Sequence, residues 1–300
     1  MSKKSKIVFF ETGNGDSSIV QLYNDNTEEY INILFDMGKK NNNIIDEINK
    51  IKIHGIVITH IDGDHIYGII ELLKNKEFRK NNELLFIVFN EYNKSLISYK
   101  QGNLLKSLIN SDYSKVILLN SYESDYTYIN SRFKSHIKFL SIDKRDLLAD
   151  LKMKEDNIII TFLAPDKDNL KRLMGEWKKY NEESKARTGE VTNQSSIVCL
   201  IEYKNINILM TGDQAIMSIY PILKEKKYIW NIDKIDCIKI SHHSSMKSNE
   251  GLIELAEKFN CKKMFFMTYH ATDSSELSKK LEENDIKVYK ISEGKEEIGL

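Results

Sequence analysis

Between Thr59 and His65 the chain reads Thr-His-Ile-Asp-Gly-Asp-His, two imidazoles and two carboxylates set directly behind an apolar run. Folding alone does not ask for this density. A turn that starts a helix needs a single capping side chain, and buried charge without a partner is costly. A strand end running into a helix start can aim His60, Asp62, Asp64 and His65 at one point. Imidazole nitrogen and carboxylate oxygen together suit divalent ions such as zinc or manganese. The plain alternative is a polar turn that is merely rich in Asp and His.

Around this turn the chain has the content of a globular protein. Of 300 residues, 41% are hydrophobic, enough to bury a full core, and 44 basic residues balance 44 acidic ones, so no global electrostatic footprint for nucleic acid or an anionic membrane arises. A local basic groove remains open. The lysine-rich stretch Lys224-Glu225-Lys226-Lys227 reads as a solvated face. Cys199, Cys237 and Cys261 have no paired spacing, and two of them lie inside apolar runs, which makes them reduced core thiols. The first residues carry too short an apolar run for a signal peptide. No run approaches the length of about 18 residues that a membrane span needs. The expectation is a cytoplasmic protein with no membrane association.

Strand-like runs open the chain at Lys6 to Phe10, Ser18 to Tyr23 and Tyr30 to Phe35, the last ending in Asp36-Met37-Gly38. Ile53 to Thr59 reads as a buried strand, and Ile66, Ile69, Ile70 and Leu73 fall at helical spacing behind the ligand-rich turn. Residues 84–90 read as another strand, followed by a helix near Gly102 to Asn110. From Ser111 to Asp156 the pattern weakens into peripheral strands and loops. Ile158 to Leu163 is a clearer strand, and residues 176–192 are charged, polar and suited to a mobile loop. Ser196 to Tyr203 and Ile206 to Met210 form a hairpin that runs into Thr211-Gly212-Asp213. Ile235 to Ile240 runs into Ser241-His242-His243-Ser244-Ser245, and Lys263 to Met267 into Thr268-Tyr269-His270. Ligand-type side chains thus gather at the ends of several apolar strands, which a folded sheet can bring together.

Taken in order, several segments resemble the metallo-β-lactamase superfamily, and within it the group containing the C-terminal domain of the competence protein ComEC. They are Gly-Asn-Gly-Asp16-Ser17, Asp36-Met37-Gly38, the His-x-Asp-x-Asp-His turn, Asn193-Gln-Ser195-Ser196, Thr211-Gly212-Asp213 and Ser241-His242-His243-Ser244-Ser245. The resemblance implies an α/β protein, an αββα four-layer sandwich, as one domain over residues 1–300 with a peripheral insertion around 111–156. It implies two divalent metal ions, Zn or Mn. His60 and Asp62 would hold one ion, and Asp64, His65 and one histidine of the pair 242/243 the other, with Asp213 bridging. His242 is placed among the ligands, and Asp64, Asp213, His243 and His270 among the groups that act on or place the substrate. Asp36 would accept a hydrogen bond from the far nitrogen of a ligand imidazole. Asp16, Asn193 and Ser195 would support the ligands or touch substrate, unless they only satisfy turn amides.

There are departures. Asp62 stands where many members have His, which makes the site harder and more tolerant of manganese. The histidine that most members supply before the bridging Asp has one candidate here, His136, in a polar stretch. Ser244 replaces a glycine. The implied activity is hydrolysis of a phosphodiester by a metal-bound hydroxide, on single-stranded DNA or RNA ahead of duplex. The alternatives are hydrolysis of a small ester, thioester, lactone or nucleotide, and a weakly active regulatory or interaction module.

Overall fold

In the computed structural model the described residues are 4–13, 15–38, 42–82, 84–90, 99–113, 115–122, 126–132, 136–142, 157–172, 175, 189–228, 230–266, 271–291 and 294–300. They form two seven-stranded sheets. The first runs β14 (Lys295–Gly299), β1 (Lys6–Phe10), β2 (Ser18–Asn24), β3 (Glu29–Phe35), β4 (Gly55–Val57), β5 (Phe86–Val88) and β6 (Ile117–Leu119). The second runs β13 (Lys287–Lys290), β12 (Lys263–Phe266), β11 (Cys237–Lys239), β10 (Ile206–Met210), β9 (Val198–Tyr203), β8 (Ile158–Ala164) and β7 (Ile137–Ser141). β3 to β6 are mutually parallel, as are β10 to β13, and antiparallel pairs lie beside both blocks.

Alternation along each strand sorts side chains between two apolar layers. On β1, Ile7 and Phe9 enter the cluster between the sheets, while Val8 and Phe10 join the cluster under the outer helices. β9 divides likewise, with Cys199, Ile201 and Tyr203 inward and Val198 and Leu200 outward. Phe9 meets Phe265 of the facing sheet at 5.3 Å between ring centroids. Helices Asn42–Asn49, Gly63–Lys74, Lys76–Asn81 and Tyr99–Asp112 cover the first sheet through residues such as Ile48, Ile69 and Leu105, and Ile216–Lys226, Leu252–Lys258 and Ala271–Glu282 cover the second. Three apolar interfaces therefore hold four layers, αββα. With both faces covered, the central strands read as continuous apolar runs.

Two sequence expectations can be placed. The stretch read as peripheral strands and loops contributes β6 and β7, the edge strands of the two sheets, and Ile137 and Phe139 of β7 enter the central core. The rest of it, including 143–156, lies outside the described residues. Of the expected mobile loop, 176–188 lies outside them too, while Gly189–Asn193 is a short helix with Val191 and Thr192 buried.

Candidate metal centre

The parallel strands β3, β4, β10 and β11 end at one edge of the seam between the sheets, and there the polar turns meet. Asp36 leaves β3 with φ 51°, its N–H donating to Val57 O. Met37 N–H donates to His65 O and Gly68 N–H to Met37 O, both at 2.8 Å, so the start of helix Gly63–Lys74 docks on this turn. Gly68 leaves the room, since a Cβ there would stand 2.6 Å from Gly38 O. Gly15, at φ 142°, lets the β1–β2 loop lie against the same helix start, where a Cβ would stand 2.2 Å from Asp64 O.

Four imidazoles converge on one carboxylate oxygen. Asp213 Oδ2 lies 3.4 Å from His65 Nε2, 3.7 Å from His243 Nε2, and 3.9 Å from both His60 Nε2 and His242 Nε2. Asp62 Oδ2 is 3.7 Å from His60 Nε2, and Asp64 Oδ2 is 3.3 Å from His243 Nε2. Asp62 occupies the N-cap of the helix, yet its carboxylate makes no capping hydrogen bond. The capping explanation of the motif therefore does not hold for it.

Backing groups decide which nitrogen each ring presents. Asp36 Oδ1 and Oδ2 accept from Thr59 N–H and Oγ1–H at 2.7 Å, and Oδ2 lies 2.9 Å from His65 Nδ1. Thr59 has thus committed its hydroxyl proton to Asp36, so at 3.0 Å from His60 Nδ1 it can only accept. That leaves His60 Nε2 as a buried lone pair with no hydrogen-bond partner, a position a cation can fill. His243 Nδ1 faces Asp16 Oδ1 at 3.3 Å. His242 Nδ1 is 3.0 Å from Ser248 Oγ, and its Nε2 is 3.1 Å from Asn193 Nδ2.

Adjacent residues on a strand face opposite ways, which would let only one of His242 and His243 point inward. Both do point inward, because His242, His243 and Ser244 leave β11 in the left-handed region with φ of 45°, 47° and 67°. Such a run costs about 1–2 kcal/mol per residue. Asn249 holds it, accepting from Ser241 N–H and donating to Ser241 O and Ser245 O.

The remaining candidates separate. Ser195 donates to Thr192 O and does not reach the centre. Its neighbour Ser196 does, with Oγ accepting from Asp213 N–H at 3.1 Å and facing His60 Nδ1 at 3.2 Å. His136 sits at the start of β7, accepting from Ile158 N–H, at the end of the sheet opposite the site. His270 lies outside the described residues. Sequence reading missed Ser196, Thr59 and Lys239. The signal for Lys239 was a lysine in register with Cys237 on a strand buried on both faces, which turns it into the seam.

Imidazole nitrogen and carboxylate oxygen bind zinc at about 2.0–2.2 Å, so donor pairs 3.3–3.9 Å apart can flank one ion. Three groups among the described residues bring ligand atoms within 4.8 Å of one another: His60 with His65 and Asp213, Asp64 with His65 and His243, and Asp16 with Asp36 and His65, the last of which uses the Asp36 carboxylate that backs His65. Asp16, Asp36, Asp62, Asp64 and Asp213 face a single ammonium, Lys239, and once His65 and His243 give up their protons to serve as ligands the excess is four negative charges, which two divalent cations would cancel. Burial would raise the Asp213 carboxyl, but His65, His243 and His60 outweigh it and hold it well below the usual range. It remains an anion.

Neither protein-family models nor curated proteins match the sequence. Solved structures do match it. A metal-dependent hydrolase of the β-lactamase superfamily aligns with TM-score 0.51 and 12% identity over 98% of this chain and 99% of that one. A diphosphatase from the PhnP family aligns with TM-score 0.49 and 13% identity over 98% of each. Among the described residues no helix is long and apolar enough to cross a membrane. From the first likeness, the two facing sheets and their outer helices, the chain has the metallo-β-lactamase fold.

Proposed function

We propose that this chain is a metal-dependent hydrolase that cleaves phosphodiester bonds, with single-stranded DNA or RNA as its substrate class. The observation that carries the reading is the convergence of four imidazole Nε2 atoms on Asp213 Oδ2, flanked by Asp62 and Asp64. His60, Asp62 and Asp213 would hold one divalent cation, Zn or Mn, and Asp64, His65, His243 and Asp213 another. Such a pair lowers the pKa of a shared water and offsets charge on a phosphoryl group.

The chain's own groups do the rest. Asp213 joins the two halves. Burial would raise the Asp64 carboxyl, but His243, His65 and His60 bring it below its ordinary value, so at neutral pH it is a carboxylate able to hold a cation. His242, with 36% of its side chain exposed, and Asn193 beside it stand at the rim, where a substrate oxygen can meet them. The choice of a phosphodiester rests on the charge of a two-cation floor, and the choice of nucleic acid on the resemblance of the motifs. Cys199, Cys237 and Cys261 are buried free thiols, in keeping with a reducing cytoplasm.

The test combines metal analysis with a substrate screen. Protein supplemented with manganese or zinc is offered a single-stranded oligonucleotide, a duplex, a small ester and a lactone, with Asp64→Ala and Asp213→Ala as controls. Cleavage of the single strand, lost in both variants, is expected. Less than one ion per chain after supplementation refutes metal dependence. Turnover of the ester or lactone alone replaces the phosphodiester with the small-substrate reading.

A further inference from the structure

Lys239 is the only lysine or arginine among the buried described residues, with 4% of its side chain exposed. Its strand, β11, turns it inward beside Cys237, into the seam between the sheets. There Nζ forms an ion pair with Asp16, donates to Gly212 O at 2.9 Å and Ile240 O at 3.3 Å, and lies 4.0 Å from Asp213 Oδ1. Asp16 belongs to the β1–β2 loop of the other sheet. Its second oxygen faces His243 Nδ1 at 3.3 Å, and its backbone N–H donates to Asp64 O at 3.2 Å.

A buried ion pair is weak evidence for stability, because well-packed apolar replacements are often neutral or stabilising. The partners of this one suggest a different purpose. One arm ends on the backbone that carries Asp213, and the other reaches Nδ1 of His243 and the backbone of Asp64. We propose that Lys239 is a positioning residue. Through Asp16 and the Gly212 carbonyl, it holds His243 and Asp213 so that, together with Asp64, they take up one ion. Without Lys239, Asp16 loses the ammonium that fixes its carboxylate, and the His243 ring, whose Nδ1 it faces, is no longer held with Nε2 toward Asp64. The arm through Asp16 reaches His243 rather than His60 or Asp62, so the ion on the His243 side is affected most, and the other only through the shared Asp213.

The inference rests on the metal-dependent reading, and its test separates the two. Metal-free wild type, Lys239→Met and the double variant Asp16→Asn/Lys239→Met are titrated with Mn²⁺ and with Zn²⁺ in a calorimeter, and melted in parallel. Wild type is expected to take up two ions. Lys239→Met is expected to melt lower, since it leaves Asp16 uncompensated. The double variant is expected to recover the melting temperature, yet both variants should bind one of the two ions about 10- to 100-fold more weakly, as loss of ligand support does elsewhere. Either folded variant binding both ions with wild-type affinity overturns the proposal. Failure of both variants to fold also overturns it, by making the pair a folding element. A wild type that binds no ion refutes the metal reading itself.

Discussion

His60 and His65 stand 4.1 Å apart between ring centroids, equally buried, and are backed in opposite ways. The Nδ1 of His65 faces the Asp36 carboxylate, as that of His243 faces Asp16, whereas His60 has only the hydroxyls of Thr59 and Ser196. Burial and the neighbouring His65 push His60 well below its ordinary pKa. Burial pushes His65 the same way, but Asp213 and Asp36 more than reverse it and raise it well above. One ring therefore offers a lone pair at neutral pH, and the other must surrender a proton first. The two halves of the centre are unequal by construction, with carboxylate-backed ligands more basic than hydroxyl-backed ones.

The largest effect should come from the group both halves share. Asp213→Ala is expected to abolish the difference by removing both ions, leaving less than one metal per chain by elemental analysis and hydrolysis down more than about 100-fold. Asp36→Asn should weaken the half built on His65 about 10- to 100-fold in metal affinity, read by calorimetric titration. Ser196→Ala should cost the His60 half about one neutral hydrogen bond, about 1 kcal/mol or roughly five-fold. Equal losses in these two variants would show that the backing does not distinguish the halves. Metal uptake should also divide with pH. Zinc binding is expected to release protons to the buffer from the His65 and His243 side and to tighten there as pH rises, while the His60 side stays flat, as titrations in buffers of different ionisation enthalpy would show.

A smaller effect is expected in the metal-free protein. Burial opposes charge on His243, but Asp16 and Asp64 overcome it and push the pKa up from 6.5 to about 10. Because the folded value lies above the unfolded one, the stabilisation is complete below about pH 6.5 and is lost as pH rises toward 10. Denaturant midpoints of the metal-free chain should fall over that window, and Asp16→Asn should flatten the fall.

The strand framework was legible because strands covered on both faces spell themselves out as apolar runs. Lys6 to Phe10 and Ile206 to Met210 stand in the structure at the bounds the sequence suggested. Where a strand delivers a side chain to the site, the run overstates it. Ile53 to Thr59 and Ile235 to Ile240 shrink to three paired residues each, as the backbone leaves the ladder to present His60 and His242. β13 and β14 went unread because edge strands carry charge and lack an apolar rhythm. The ligand types were visible at Thr59 to His65, but their supports were not. A lysine within an apolar run, a serine one place beyond the expected one, and three consecutive left-handed residues gain meaning only when distant turns meet.

The seam position of the centre has one more consequence. Its side chains come from residues 16–65 and from 193–243, carried by different sheets, so a denatured chain would retain only the local cluster around His60 and would not grip an ion as the native one would. Occupancy would then add to native stability by mass action, in effect riveting the two sheets. A cell starved of the ion would be expected to lose protein to proteolysis as well as turnover.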